Sequence, residues 1–245
     1  MPSASIRGYL VHLYTASSLA FAVLAIQWIL DGRYQLALLA MAATVFIDAT
    51  DGALARRQRV SETAPGIDGP LLDNLVDFVT YVFLPVLLLL HAGFLLPPTW
   101  AFATLLAFAS AYAFSRTTAK QGDAGFFVGF PSYWNVLAFY AYVLDLSPAL
   151  ATAWVVGLGL LSFTDVRFLY VSRMRRGRRL HLVLGGAWGL AALGALLAAP
   201  GPLRDGLAYA SLAYVAFYAL HSFVLDRQDR RGRRADPVRP AGLTD

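Results

Sequence analysis

Two stretches decide how this chain is read: Phe46-Ile47-Asp48-Ala49-Thr50-Asp51-Gly52-Ala53-Leu54-Ala55-Arg56 and Gly69-Pro70-Leu71-Leu72-Asp73-Asn74-Leu75-Val76-Asp77. The first closes an apolar run long enough to cross a bilayer, and the second opens another. Each carries two aspartates, spaced i,i+3 and then i,i+4, which on a helix places both acids of a pair on one face. Consecutive antiparallel helices then bring four carboxylates together in one half of the membrane. A lone Asp at the centre of a spanning helix costs about 2.5–3.5 kcal/mol, and four together also repel one another. One such acid could end its helix in interfacial water, but four at these spacings call for compensation by divalent cations. Hard oxygen ligands suit Mg²⁺ or Mn²⁺, and carboxylates shared between two ions suit phosphoryl transfer. Gly52 and Ala55 leave room for a bulky ligand, and Arg56 offers a bidentate phosphate contact. Together these residues describe a diphosphate site.

The rest of the chain supplies the membrane that this reading needs. Of 245 residues, 58% are hydrophobic and only 14% charged, with mean hydropathy +0.57. A soluble domain carries about a quarter charged residues, so a water-soluble domain and a disordered chain are both excluded. With no cysteine, disulfides, thiolate metal sites and a cysteine nucleophile are excluded too. The first apolar stretch is too long for a signal peptide and is read as a span. About 20 apolar residues cross a bilayer as a helix, and that template fits eight times, near 8–30, 34–55, 71–96, 99–116, 131–146, 148–170, 181–199 and 206–225. The fold class expected is an all-α polytopic bundle, with one transmembrane domain over 1–226 and a basic, mobile tail over 227–245. Eighteen of the twenty Lys and Arg fall at the termini and the even-to-odd connections, against Arg33 and Arg204 on the other side. The positive-inside rule places both termini in the cytoplasm. The basic clusters therefore set topology and meet anionic headgroups, and no nucleic-acid partner is expected.

The acidic stretches resemble the signature of the CDP-alcohol phosphotransferase family, membrane enzymes that join an alcohol to a CDP-activated lipid. The family pattern D-x2-D-G-x2-A-R, then G-x3-D-x3-D, is matched by Asp48, Asp51, Gly52, Ala55, Arg56, Gly69, Asp73 and Asp77. The spacer between Arg56 and Gly69 is twelve residues where eight is usual. That length is similar to a bacterial branch condensing CDP-diacylglycerol with free choline. So are Phe127-Val128-Gly129-Phe130-Pro131-Ser132-Tyr133-Trp134-Asn135 and His12-Leu13-Tyr14-Thr15-Ala16-Ser17.

The resemblance, which covers roughly residues 8–225, implies a homodimer in the bacterial inner membrane with its active site facing the cytoplasm. It implies Asp48, Asp51 and Asp73 as metal ligands, with Asp77 completing the site and acting as general base. Mn²⁺ or Mg²⁺, two ions, would be the cofactor. Gly52, Ala55, Arg56 and Gly69 would line the CDP moiety. Arg116 resembles an arginine that meets phosphate in relatives, or is a topology charge. Thr15 is a further nucleotide-pocket candidate.

Choline's quaternary ammonium donates no hydrogen bond and is usually held by aromatic faces, each worth about 0.5–2 kcal/mol. Tyr81 lies one turn beyond Asp77, and Tyr112, Phe130, Tyr133 and Trp134 are expected at the same level. Asn135 could orient the choline hydroxyl. The alternative for each ring is an aromatic belt at the headgroup boundary. The expected reaction is phosphatidyl transfer from CDP-diacylglycerol to choline with release of CMP. Serine, glycerol phosphate or inositol phosphate remain alternative acceptors, and a divalent-cation transporter is the rival outside enzymes. Glu62, Asp123 and Asp165 receive no role.

Overall fold

The computed structural model describes residues 4–117, 120–121, 125–174 and 177–235, with the backbone alone at 120–121 and 232–235. Asp123, Arg175, Arg176 and the last ten residues of the expected tail lie outside them. The described chain is helical apart from one small sheet. Its elements are α1 (Ala4–Leu30), α2 (Tyr34–Gln58), α3 (Val60–Thr63), α4 (Gly69–Asp77), a π-helical stretch (Phe78–Phe83), α5 (Leu84–His91), α6 (Thr99–Ser115), β1 (Lys120–Gln121), β2 (Phe126–Val128), α7 (Trp134–Val143), α8 (Pro148–Leu161), β3 (Arg167–Leu169), α9 (Arg178–Leu197) and α10 (Pro202–Ala235).

Five helices are long and apolar enough to cross a membrane: α1, α2, the continuous rod Gly69–His91, α9 and α10. They form because uninterrupted apolar sequence in lipid must satisfy its backbone internally. Their outward faces stay apolar, as at Val23, Val183, Leu190 and Leu220, which suits lipid contact. The shorter apolar helices α6 and α8 accompany them.

Over the expected fifth span, 131–146, the helix is short. α7 has ten residues, about 15 Å at 1.5 Å per residue, half of what a bilayer core requires. Seven of its ten side chains are buried, and it packs among α2, α5, α8, α10 and the π-helical stretch. Its polar groups are met inside the protein. Tyr140 bonds Ser211 at 2.7 Å and accepts from Trp188 at 3.1 Å. Arg204 donates to the carbonyls of Tyr142 and Val143, at the helix C-terminus.

The expected sixth span, 148–170, is also corrected. α8 stops at Leu161, and residues 167–169 form β3 of an antiparallel sheet ordered β1-β2-β3. Phe126 faces Leu169, and Val128 faces Arg167. Gly129 makes the exit from β2 possible, because at φ +81° an added Cβ would lie 2.6 Å from the Ser162 carbonyl oxygen. The sheet docks on α10 through Phe126, Leu169, Met174 and Leu225.

Arg167, read in sequence as a topology charge, is buried over the Phe126 ring and ion-paired with Asp226 and Asp229. This is why the last helix does not end at 225. α10 continues to Ala235, and Arg230 holds both Asp226 and the Asp165 carbonyl. The boundary expected at 226/227 therefore falls inside a helix.

The twelve-residue spacer is likewise structured. α3 folds it against α1, where Val11, Val60 and Ala64 form a small apolar cluster. Gly8 permits the approach, since a Cβ there would sit 2.5 Å from Thr63 Oγ1.

Candidate functional site

The last turns of α2 and the first of α4 meet as the spacing requires. Carboxylate oxygens of Asp48, Asp73 and Asp77 all lie within 4.8 Å of one another, each residue partly buried. Three half-buried acids this close repel strongly, and their oxygen-only donor set is the kind that holds a hard divalent cation. The group could therefore hold a metal ion. Asp51, one turn after Asp48, is set apart from the trio. It is 6% exposed and accepts a hydrogen bond from Thr15 Oγ1 at 2.7 Å on Oδ2, while Asp73 still acts on it electrostatically. Thr15 is thereby tied to Asp51. Next to it Tyr14 and Thr50 join hydroxyls at 2.7 Å, fastening α1 to α2.

Gly52 and Gly69 each admit a close neighbour. A guanidinium nitrogen of Arg56 comes within 3.4 Å of where a Gly52 Cβ would sit. The His12 ring comes within 3.1 Å of the corresponding point at Gly69. Asp68 caps α4 by accepting from Leu71 N at 3.0 Å, and Pro70 stands in the first turn, where its missing N–H costs nothing.

Directly after Asp77 the rod widens to a π-helical turn over Phe78–Phe83. Pro85 cannot donate to the carbonyl of Tyr81 four residues earlier, and a π turn lets the helix pass through that gap without breaking. Tyr81 sits in the widened turn, and its hydroxyl donates to Asp48 Oδ2 at 2.6 Å. Tyr133 lies within electrostatic reach of both Tyr81 and Asp48 and shares a hydrogen bond with Tyr218 of α10. Phe168 of β3 stacks on Tyr218 at 6.4 Å, and Phe130 meets Phe168 at 6.2 Å. An aromatic wall with three phenol groups therefore begins at the acids.

The other residues singled out from sequence are placed differently. Trp134 is fully buried, its Nε1 donating to Ser110 Oγ at 2.7 Å, and it backs Phe130 edge-on at 4.9 Å. Tyr112 is exposed on the outer face against Phe163. Asn135 Oδ1 accepts from the adjacent Val136 N within the first turn of α7. Arg116 pairs with Asp165 at 2.6 Å, which gives Asp165 a structural role. Arg116 also lines a cleft of about 220 Å³ together with Asn74, Phe114, Phe130 and Ser132. Glu62 pairs with Arg59 at 3.9 Å on an exposed turn.

Tyr218, Phe168 and His12 are the neighbours of the site to which sequence reading gave no role. Nothing local links residue 218 to residue 48, and Phe168 lies in a segment that reads as helix. His12 sits in a quoted motif whose partner, Gly69, is distant in sequence.

Comparison with known proteins gives the family. The profile described as CDP-alcohol phosphatidyltransferase matches residues 10–164. A Legionella pneumophila protein named phosphatidylcholine synthase is 40% identical over 168 residues, which is 68% of this chain and 66% of that one. Proteins of the same name from Pseudomonas aeruginosa and Agrobacterium fabrum are 35% and 33% identical. Those matches cover 83% and 77% of this chain, and 87% and 78% of theirs.

The Thr15 hydroxyl generates a test. Thr15→Val keeps the shape and removes the donor to Asp51. Loss of such a supporting bond is expected to weaken divalent-metal affinity by roughly 10- to 100-fold, measured by calorimetric titration of detergent-solubilised protein. Unchanged affinity would separate Asp51 from metal binding.

Proposed function

The chain belongs to the CDP-alcohol phosphatidyltransferase family, and on that premise we propose that it is a phosphatidylcholine synthase. It converts CDP-diacylglycerol and choline to phosphatidylcholine and CMP. The observation that carries the reading is the convergence of Asp48, Asp73 and Asp77 beside a tyrosine that bonds Asp48 and leads into an aromatic wall. The first feature suits a diphosphate, and the second a quaternary ammonium.

Asp48, Asp51, Asp73 and Asp77 would hold two divalent ions, Mn²⁺ or Mg²⁺, which when bound neutralise the diphosphate and stabilise the charge developing on CMP. The remaining chemistry belongs to the chain. Asp77 takes the proton of the choline hydroxyl, since an alcohol is a poor nucleophile without a base in hydrogen-bond reach. The hydroxyl oxygen attacks the phosphorus bearing diacylglycerol, the phosphoanhydride bond breaks, and CMP leaves with the electron pair. Arg56 orients the diphosphate, while Gly52, Ala55 and Gly69 let it approach the backbone. Tyr81, Tyr133 and Tyr218 present ring faces to the ammonium, and Tyr81 also fixes Asp48.

The site opens to the cytoplasmic side of a bacterial inner membrane, where CMP and choline are dissolved while the diacyl tails stay in lipid. Both termini share that side. The protein acts as a homodimer of chains with about eight membrane segments, of which α7 is an internal one.

Purified protein in detergent should release CMP from CDP-diacylglycerol with choline, and chelation should abolish the release. Serine, glycerol 3-phosphate and inositol phosphate should give none. Release with another acceptor would overturn the choline assignment. No release with any of them would overturn the enzyme reading.

The aromatic wall makes a second prediction. Tyr81→Phe keeps the ring and should hold the choline KM within about twofold, whereas Tyr81→Leu should raise it roughly 2- to 30-fold, the worth of one cation–π contact. Equal choline KM values in both variants would remove that ring from the pocket.

A further inference from the structure

His12 carries the one buried side-chain nitrogen without a hydrogen-bond partner among the described residues. The residue is 7% exposed, and its Nε2 is enclosed and unpartnered. A polar atom buried this way forgoes the hydration it had in the unfolded chain, so its retention calls for a partner that arrives with a ligand.

Its position says which part of a ligand. The ring lies against Gly69, where an added Cβ would come within 3.1 Å of it. Thr15, one turn further along α1, holds Asp51. Asp73, one turn further along α4 from Gly69, belongs to the acid trio. α1 and α4 thus carry matched levels: His12 with Gly69, then Thr15–Asp51 with Asp73, separated by about 4.5–6 Å of helical rise. A diphosphate held at the acids places its nucleoside about one level away, beside His12.

The chemistry at that level disfavours another anion. The α4 N-terminus is already capped by the carboxylate of Asp68, and the adjoining surface of α1 and α3 is the apolar cluster of Val11, Val60 and Ala64. A neutral, flat group with hydrogen-bonding edges fits where a further phosphate does not.

We infer that His12 is a nucleoside contact: its Nε2 hydrogen-bonds the cytidine end of the CDP-linked lipid and so sets where the diphosphate lies against the acids. This rests on the proposed use of a CDP-activated substrate and adds a residue that recognises its nucleoside half.

The test compares CMP with inorganic diphosphate as inhibitors of the wild-type enzyme, His12→Phe and His12→Gln. His12→Phe keeps a ring of similar shape without the nitrogen, and His12→Gln returns an amide near the Nε2 position. CMP inhibition should weaken about tenfold in His12→Phe, the worth of one hydrogen bond, and recover in large part in His12→Gln. Diphosphate inhibition and the choline KM should stay within twofold in both variants.

Equal weakening toward CMP and diphosphate would show a general disturbance of the site and overturn the inference. So would unchanged CMP inhibition, or a His12→Gln variant as impaired as His12→Phe. In those three cases wild-type turnover continues and the proposed reaction stands. A wild-type protein that neither turns over CDP-diacylglycerol nor binds CMP would overturn both.

Discussion

The constraint on which the structure depends is electrostatic. Asp48, Asp73 and Asp77 converge from two consecutive helices, with Asp51 one turn away, in a chain whose composition commits it to lipid. Each such acid costs about 2.5–3.5 kcal/mol at a membrane centre, and their mutual repulsion adds to that. Much of the surrounding architecture holds these acids in place. Thr15 restrains Asp51, Tyr81 restrains Asp48, and the Tyr14–Thr50 pair fixes α1 beside α2. The π turn forced by Pro85 occupies the turn that carries Tyr81.

Around this centre the fold separates two kinds of surroundings. α1, α3 and the start of α4 form a wall of glycine, alanine and valine with one buried imidazole. A second wall is aromatic and is assembled from Tyr81 of the π-helical stretch, Tyr133 just before α7, Phe168 of β3 and Tyr218 of α10. That second wall depends on the small sheet, which the buried Arg167–Asp226–Asp229 cluster ties to the last helix. A buried ion cluster of this kind is weak evidence for stability but a good device for fixing one arrangement. Here it sets where Phe168 and Tyr218 stand relative to Tyr133. Divalent cations held by the acids would neutralise a diphosphate, and the phenol rings would suit a cation that offers no hydrogen bond.

The acidic pairs were legible because their spacing is local: i,i+3 and i,i+4 on adjoining helices fix a face before any tertiary contact is known. Long apolar runs were legible for the same reason. The structure departs from the expected bounds where an apolar stretch is buried in protein rather than lipid, since periodicity alone does not tell these apart. Apolar composition over 131–146 does not show that its helix, α7, is only ten residues long and largely buried in protein. Residues 162–170 look like the end of α8, and their pairing with Phe126–Val128 is a long-range fact. Arg167 reads as a topology charge until Asp226 and Asp229 come beside it. That Trp134 is fully enclosed, with its indole nitrogen donating to Ser110, is likewise a long-range fact.

The trio and its neighbour would bind divalent metal at the α2–α4 junction. The most direct measurement is Mn²⁺ titration followed by electron paramagnetic resonance on detergent-solubilised protein, comparing the wild type with Asp73→Asn. The account predicts saturable binding that removes free Mn²⁺ signal in the wild type and is lost in the variant, with the melting temperature of the metal-free proteins alike. Saturable binding that survives Asp73→Asn would place the metal elsewhere and contradict the account.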